Sequence, residues 1–234
     1  MDNKRIALVT GANRGIGLEV CRQLAEQGDF VILTSRSTDK GQQAIKKLGF
    51  NESQMVYHQL TVDEQSSVDK IADWVKNTYG RLDVLINNAG INYDTWHNAL
   101  NADLEECHRT IEVNLFGAWR LCQAFLPLMQ ANDYGRVVNV SSGSGTINGM
   151  GGGTPAYSIS KAALNVLTIK LASLGHSKDI LINSVCPDWV RTDMGGSHAP
   201  KSVEEGAASV IWGANLSKGG PNGGFFRHGK AISW

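Results

Sequence analysis

Arg5-Ile6-Ala7-Leu8-Val9-Thr10-Gly11-Ala12-Asn13-Arg14-Gly15-Ile16-Gly17, residues 5–17, is the stretch whose reading decides the fold. Arg5 to Thr10 is a short apolar run with the composition of a strand. Ile16 to Gln27 has the pattern of a helix, with Gly28 as its stop. A glycine loop that follows a strand and opens a helix is the setting of a phosphate-binding turn. Gly11 permits the tight turn, Gly15 lets backbone approach a pyrophosphate, and Gly17 allows the helix to pack closely. The helix N-terminus adds free N–H groups and the positive end of its dipole. The spacing is Gly-x-x-x-Gly-x-Gly, distinct from the more widespread Gly-x-Gly-x-x-Gly.

The same alternation continues outward. Strand-like runs at 30–34, 54–60, 82–87, 135–141 and 180–186 alternate with helical stretches at 39–48, 63–79, 104–129, 155–174 and 203–216, and a last short strand is expected at 224–227. Ser202-Val203-Glu204-Glu205 reads as a capping box that opens the last helix. Alternation of this kind implies βαβ units with right-handed crossovers. The expected architecture is a doubly wound, Rossmann-type α/β fold: a parallel sheet of about seven strands with helices on both faces. No linker or repeat divides residues 1–234, so one domain is expected, with a substrate lid near 189–216. Ligands bind such sheets outside the carboxyl ends of the strands. The polar and glycine-rich segments at 11–17, 35–38, 61–63, 87–94, 141–153 and 187–199 all fall at those ends.

Composition excludes several classes. The chain has 234 residues, 42% hydrophobic, with 22 basic and 22 acidic side chains. A chain this long buries a substantial core without metals or disulfides. Its zero formal charge gives no reason to expect nucleic acid or an anionic membrane as partner. Cys21, Cys107, Cys122 and Cys186 show no CxxC or framework spacing and read as reduced core thiols of a cytoplasmic protein. No HExxH-like pair occurs among the six histidines, so no metal site is expected. The apolar run Ile6 to Val9 is too short for the apolar part of a signal peptide, and no window approaches a membrane span.

The candidate chemistry lies in Thr154-Pro155-Ala156-Tyr157-Ser158-Ile159-Ser160-Lys161. Pro155 suits a first helical turn. Tyr157 and Lys161, four residues apart, then share one helix face. A phenol titrates near ~10. An ammonium about 5 Å away at an effective dielectric of about 20 favours the phenolate by roughly 3 kcal/mol, or about two pKa units. The pair is therefore expected to bring Tyr157 towards neutrality as a proton donor or acceptor. A hydroxyl at the end of the fifth strand could hold a substrate carbonyl beside it; Ser141, Ser142 and Ser144 are the choices. Cofactor selection is read at the end of the second strand, where NAD enzymes usually carry a carboxylate. Here Ser35-Arg36 stands in its place, and Arg14 lies in the glycine loop. Two guanidinium groups suit a 2′-phosphate, so the expected cofactor is NADP(H).

Taken together, TGxxxGxG at Thr10–Gly17, NNAG at Asn87–Gly90, Asn114, Ser142, YxxxK at Tyr157–Lys161 and the Pro187–Thr192 run resemble the single-domain short-chain dehydrogenases/reductases over nearly the whole chain. Within that family the chain is most similar to NADPH-dependent carbonyl reductases, a likeness carried by residues 135–142 and 189–194. The resemblance implies a catalytic set of Asn114, Ser142, Tyr157 and Lys161. In it Tyr157 is the general acid, Ser142 orients the carbonyl, Lys161 lowers the Tyr157 pKa and holds the nicotinamide ribose, and Asn114 holds a water of a proton relay. It also implies cofactor contacts from Gly11, Asn13, Arg14, Gly15, Ile16, Gly17, Arg36, Thr61, Val62, Asn88, Ala89, Gly90, Tyr157, Lys161, Pro187, Trp189, Val190 and Thr192.

Two positions depart from the family pattern. Thr61 stands where an Asp is usual, which implies a weaker adenine contact. Asp188 replaces the usual glycine after Pro187 and brings a side chain and charge near the nicotinamide that could disfavour anionic substrates or alter the substrate pose. The interval between Ser142 and Tyr157 lacks the long insertion that keeps some similar reductases monomeric, so either a monomer or a homo-oligomer through the two long helices is allowed. Tyr93, Trp96, Met150, Trp189, Met194, His198 and Trp234 are candidate pocket residues and suit an apolar or aromatic carbonyl compound. The expected activity is reduction of an aldehyde, ketone or quinone. The alternatives are a non-catalytic NADP-binding regulator and a reductase of activated double bonds.

Overall fold

Strands β1 (Ile6–Val9), β2 (Phe30–Ser35) and β4 (Val84–Asn87) have no exposed residue, which explains why their sequences show no polar alternation. In the computed structural model, which describes residues 4–174 and 178–234, they form the middle of one sheet. β3 (Met55–Gln59), β5 (Tyr134–Val140), β6 (Asp179–Cys186), β7 (Phe225–Arg227) and β8 (Lys230–Ala231) complete it. The order is β3-β2-β1-β4-β5-β6-β7-β8, parallel throughout except for β8. The expected seven parallel strands are thus present, and β8 adds a two-residue antiparallel edge after β7.

Helices α1 (Gly15–Glu26), α2 (Thr38–Leu48), α3 (Gln65–Tyr79), α4 (Leu104–Ile111), α5 (Gly117–Ala131), α6 (Pro155–Ala172) and α7 (Val203–Ala214) cover both faces. Successive strand residues point to opposite faces. Ile6, Leu8 and Ile32 accordingly pack with Ile71 of α3, Phe125 of α5 and Leu167 of α6. Ala7, Val9 and Leu33 pack with Leu24 of α1, Ala44 of α2 and Val210 of α7. The capping box at Ser202 and Glu205 is formed. Helix α7 packs on the core, and the irregular part of segment 189–216 ends where α7 begins.

The long helix expected over 104–129 is interrupted. Residues Glu112–Phe116 form a π turn between α4 and α5, with Asn114 buried in it. The four thiols are unpaired; Cys21, Cys122 and Cys186 are buried, and Cys107 is partly exposed. Among the described residues no helix is long and apolar enough to cross a membrane.

Arg136 of β5 is buried in the sheet. Its guanidinium meets the Asp179 carboxylate at 2.9 Å and donates to the carbonyls of Leu216, Gly135 and Asp179. It ties β5 to β6 and to the end of α7. Removing one member of a buried pair strands the other. Arg136→Met is expected to lower the unfolding free energy by about 3 kcal/mol or more, measured by urea denaturation.

Candidate active site

The site begins where β1 and β4 end side by side. Thr10 Oγ1 accepts hydrogen bonds from the backbone N–H groups of Asn88 (3.0 Å) and Ala89 (2.9 Å), and Asn88 Nδ2 donates to the carbonyls of Thr10 and Gly11. The two turns are thus joined. Gly11 has φ +62°, and a Cβ there would lie 2.8 Å from Ala89 Cα. A Cβ on Gly17 would lie 2.4 Å from Asn88 Nδ2. Both positions need glycine, Gly11 for its backbone angle and both for the close approach.

These turns floor a cleft of about 480 Å³ along the carboxyl ends of the strands. Gly11, Asn13, Arg14, Gly15, Ile16 and Gly17 line one side. Arg36, Thr61 and Val62 line one end. Asn88, Ala89, Gly90, Tyr157, Lys161, Pro187 and Thr192 line the other end. Four sequence-predicted residues do not line it: Asn114, Ser142, Trp189 and Val190. Val190 is buried, packed where a Cβ on Gly206 would fall. Trp189 is half exposed, and its indole N–H donates to the Gly195 carbonyl at 2.8 Å. Of the candidate pocket aromatics, Tyr93 lies edge-on to Tyr157 with ring centroids 5.2 Å apart, whereas Trp96 points outward.

Sequence reasoning missed several lining or supporting residues. Lys40 and Asp63 also line the cleft. Arg14 forms an ion pair with Asp193, while the Arg36 side chain makes no hydrogen bond among the described residues. The largest omission is Asp94. It is buried, and its carboxylate accepts from the N–H groups of Ala156 (2.9 Å) and Tyr157 (3.1 Å). Helix α6 has no side-chain cap of its own; Thr154 stands at its N-cap with φ +51°. Asp94 therefore supplies the acceptor for the first free donors of α6 and places negative charge at the positive end of its dipole.

The electrostatics correct one expectation. Lys161 Nζ lies 5.6 Å from the Tyr157 ring centroid and donates to the Val140 carbonyl at 2.8 Å. Both residues are buried. Burial holds the Tyr157 phenol above its ordinary range, against the opposing effect of the Ser142 hydroxyl. Burial also brings Lys161 down to about 8. Desolvation outweighs the attraction expected from the i, i+4 spacing. Asn114 Oδ1 accepts from Ile91 N at 2.8 Å, and its Nδ2 donates to the Ile91 carbonyl and to Ser160 Oγ. Asn114 Oδ1 and Lys161 Nζ each lie 3.5 Å from the position a Cβ on Gly90 would take.

A family model described as short chain dehydrogenase matches residues 5–202. The chain belongs to the short chain dehydrogenase family. Short-chain dehydrogenase/reductase 1 of Saponaria officinalis is 38% identical, covering 95% of this short chain dehydrogenase and 94% of the relative. Carbonyl reductase 1, an NADPH enzyme of Bos taurus, is 35% identical with 98% of each chain covered. The crystal structure of NADPH-bound carbonyl reductase from chicken fatty liver superimposes with a TM-score of 0.88 at 30% identity over 99% of each chain.

Two outcomes test the electrostatics of this dehydrogenase. Asp94→Ala should lower its unfolding free energy by roughly 2 kcal/mol in denaturant titrations, and Asp94→Asn by less. The second concerns Lys161, whose pKa is depressed in the folded state from 10.5 to about 8. Between those values the unfolded chain binds more protons, so stability rises with pH. The wild-type stability curve minus that of Lys161→Met should rise across pH 8 to 10.5; a flat difference curve would contradict the assignment.

Proposed function

We propose that this protein is a cytoplasmic NADPH-dependent carbonyl reductase that converts an aldehyde, ketone or quinone to an alcohol. The observation that carries the reading is the buried Tyr157–Lys161 pair at the end of a glycine-floored cleft. The likeness to carbonyl reductases supports it.

The cleft residues fit NADP(H). Gly11 and Gly17 leave no room for side chains. The turn and the N-terminus of α1 offer N–H groups for a pyrophosphate. At the other end Arg36 has uncommitted donors and Lys40 lies nearby, a donor set suited to a 2′-phosphate. Arg14 would contribute by exchanging Asp193 for phosphate. Thr61 and Val62 would lie against the adenine, Asn88 to Gly90 against ribose, and Pro187 and Thr192 beside the nicotinamide. NADPH, when bound, supplies hydride to a carbonyl carbon.

The chain's own residues handle the oxygen. Tyr157 gives its phenolic proton to the forming alkoxide, and its raised pKa keeps that proton in place at neutral pH. Ser142 orients the carbonyl oxygen. Lys161, with Asn114 behind it, would hold the nicotinamide ribose and return a proton to Tyr157 through a bound water. Segment 189–200 would cover the substrate. The exposed apolar side chains Phe116 and Trp119 of the π turn and α5, with Ile159 and Val166 of α6, support self-association through these helices.

Tyr157→Phe should cut NADPH-dependent turnover at least a hundredfold, roughly the share of a general acid, while leaving NADPH binding unchanged by fluorescence titration. Near wild-type turnover would sink the mechanism. Arg36→Asp should reduce the ratio of NADPH to NADH kcat/KM by roughly tenfold or more in initial-rate assays.

A further inference from the structure

The carboxyl end of β7 brings a cation to the substrate side of the site that the proposed reaction leaves unassigned. Arg227 pairs in register with Cys186, which is followed by Pro187 and Asp188. On a strand, Arg227 shares a face with Phe225, whereas Phe226 packs on Trp212 of α7 from the opposite face. Arg227 therefore points to the α6 side, where Ser142 and Tyr157 lie. A Cβ on Gly143 would sit 2.6 Å from Arg227 Nη2. The guanidinium thus rests against the residue next to Ser142, with no side chain between them.

The donors of Arg227 are uncommitted. It makes no hydrogen bond or ion pair among the described residues, and its buried Nε has no partner. The Asp188 carboxylate lies near enough to act on it electrostatically. That carboxylate is engaged elsewhere: Oδ1 accepts from Trp189 N at 3.0 Å, and Oδ2 faces His228 Nε2 at 3.3 Å. The backbone N–H of His228 in turn donates to Ser209 Oγ, which donates to the Cys186 carbonyl. Asp188 is held in a ring of contacts between the ends of β6 and β7 and the middle of α7, turned to its own loop. It partly offsets the Arg227 charge without using the guanidinium donors. Asp188 remains a charged group near the site, while the neighbouring Arg227 guanidinium is left with free donors.

We propose that Arg227 is a specificity-determining residue that takes the carboxylate of an oxo-acid substrate whose carbonyl lies at Ser142 and Tyr157. The inference rests on the carbonyl reductase reading. A guanidinium fork matches a carboxylate in two parallel hydrogen bonds, which Lys would not reproduce. Its position one residue from Ser142 suits an acid whose carboxylate lies within a few bonds of the carbonyl, since adjacent Cα atoms are only about 3.8 Å apart.

The test compares phenylglyoxylate with its neutral methyl ester as substrates of wild type, Arg227→Gln and Arg227→Lys. Arg227→Gln should lower the acid-to-ester ratio of kcat/KM by roughly tenfold or more, mainly through the KM of the acid, with Arg227→Lys between the two. An unchanged ratio, or equal losses on both substrates, would overturn the proposal, as would a wild type that reduces neutral carbonyls but not the acid. If wild type reduces no carbonyl at all, the reductase reading fails separately. Calorimetric titration of benzoate into the NADPH-mixed proteins then decides the matter for Arg227. Binding to wild type that is lost in Arg227→Gln supports the site, and equal or absent binding refutes it.

Discussion

Helix α6, which carries the proposed catalytic pair, depends on one carboxylate. Pro155 removes one of the free donors at the start of α6, and Asp94 takes the next two, from Ala156 and Tyr157. Helix α6 otherwise begins from a residue in the left-handed region with no capping side chain. The loop after β4 thus fixes the height and rotation of the helix that carries Tyr157 and Lys161. Because the same loop is joined to the glycine turn through Thr10 and Asn88, the glycine-turn side of the cleft and the Tyr157–Lys161 end share one framework. A buried carboxylate is costly unless its acceptors are used; here the two N–H groups and the helix dipole stabilise it.

Burial sets the chemistry of the pair that this framework holds. An exposed Tyr and Lys at i, i+4 would attract and lower the phenol pKa. Inside the cleft both charged forms lose hydration, and the phenol rises while the ammonium falls. A protonated tyrosine and an easily deprotonated lysine suit delivery of a proton to a developing alkoxide. A cofactor carrying phosphates and ribose hydroxyls would change this balance by giving Lys161 new acceptors.

Much of this was legible in the sequence, for physical reasons. Strands buried on both faces are rich in continuous apolar runs, so β1, β2 and β4 stood out. The glycine loop was legible because Gly11 and Gly17 answer to backbone angle and contact distance. The four proposed catalytic residues came from motifs spaced along the chain. What sequence could not reach were contacts without periodicity: Asp94 on a helix 62 residues away, Asp188 on His228 across 40 residues, and Arg14 on Asp193. The π turn left only a weak trace, a poor helix former at Asn114, and a helix of ordinary hydrogen bonding was the natural expectation there. The packing of the apolar face of α7 on the sheet and α1 was another contact of this kind. The direction of the Tyr157 shift failed because spacing reports proximity and says nothing of desolvation.

The central claim, hydride delivery to a carbonyl carbon beside Tyr157, is tested most directly by label transfer. NADPH deuterated at both C4 positions would be incubated with the enzyme and an aromatic ketone bearing a conjugated double bond, and the product examined by NMR. The account predicts deuterium on the new carbinol carbon, with the double bond intact. Deuterium on a carbon of the former double bond, with the carbonyl retained, would contradict it and assign the scaffold to the reduction of activated double bonds.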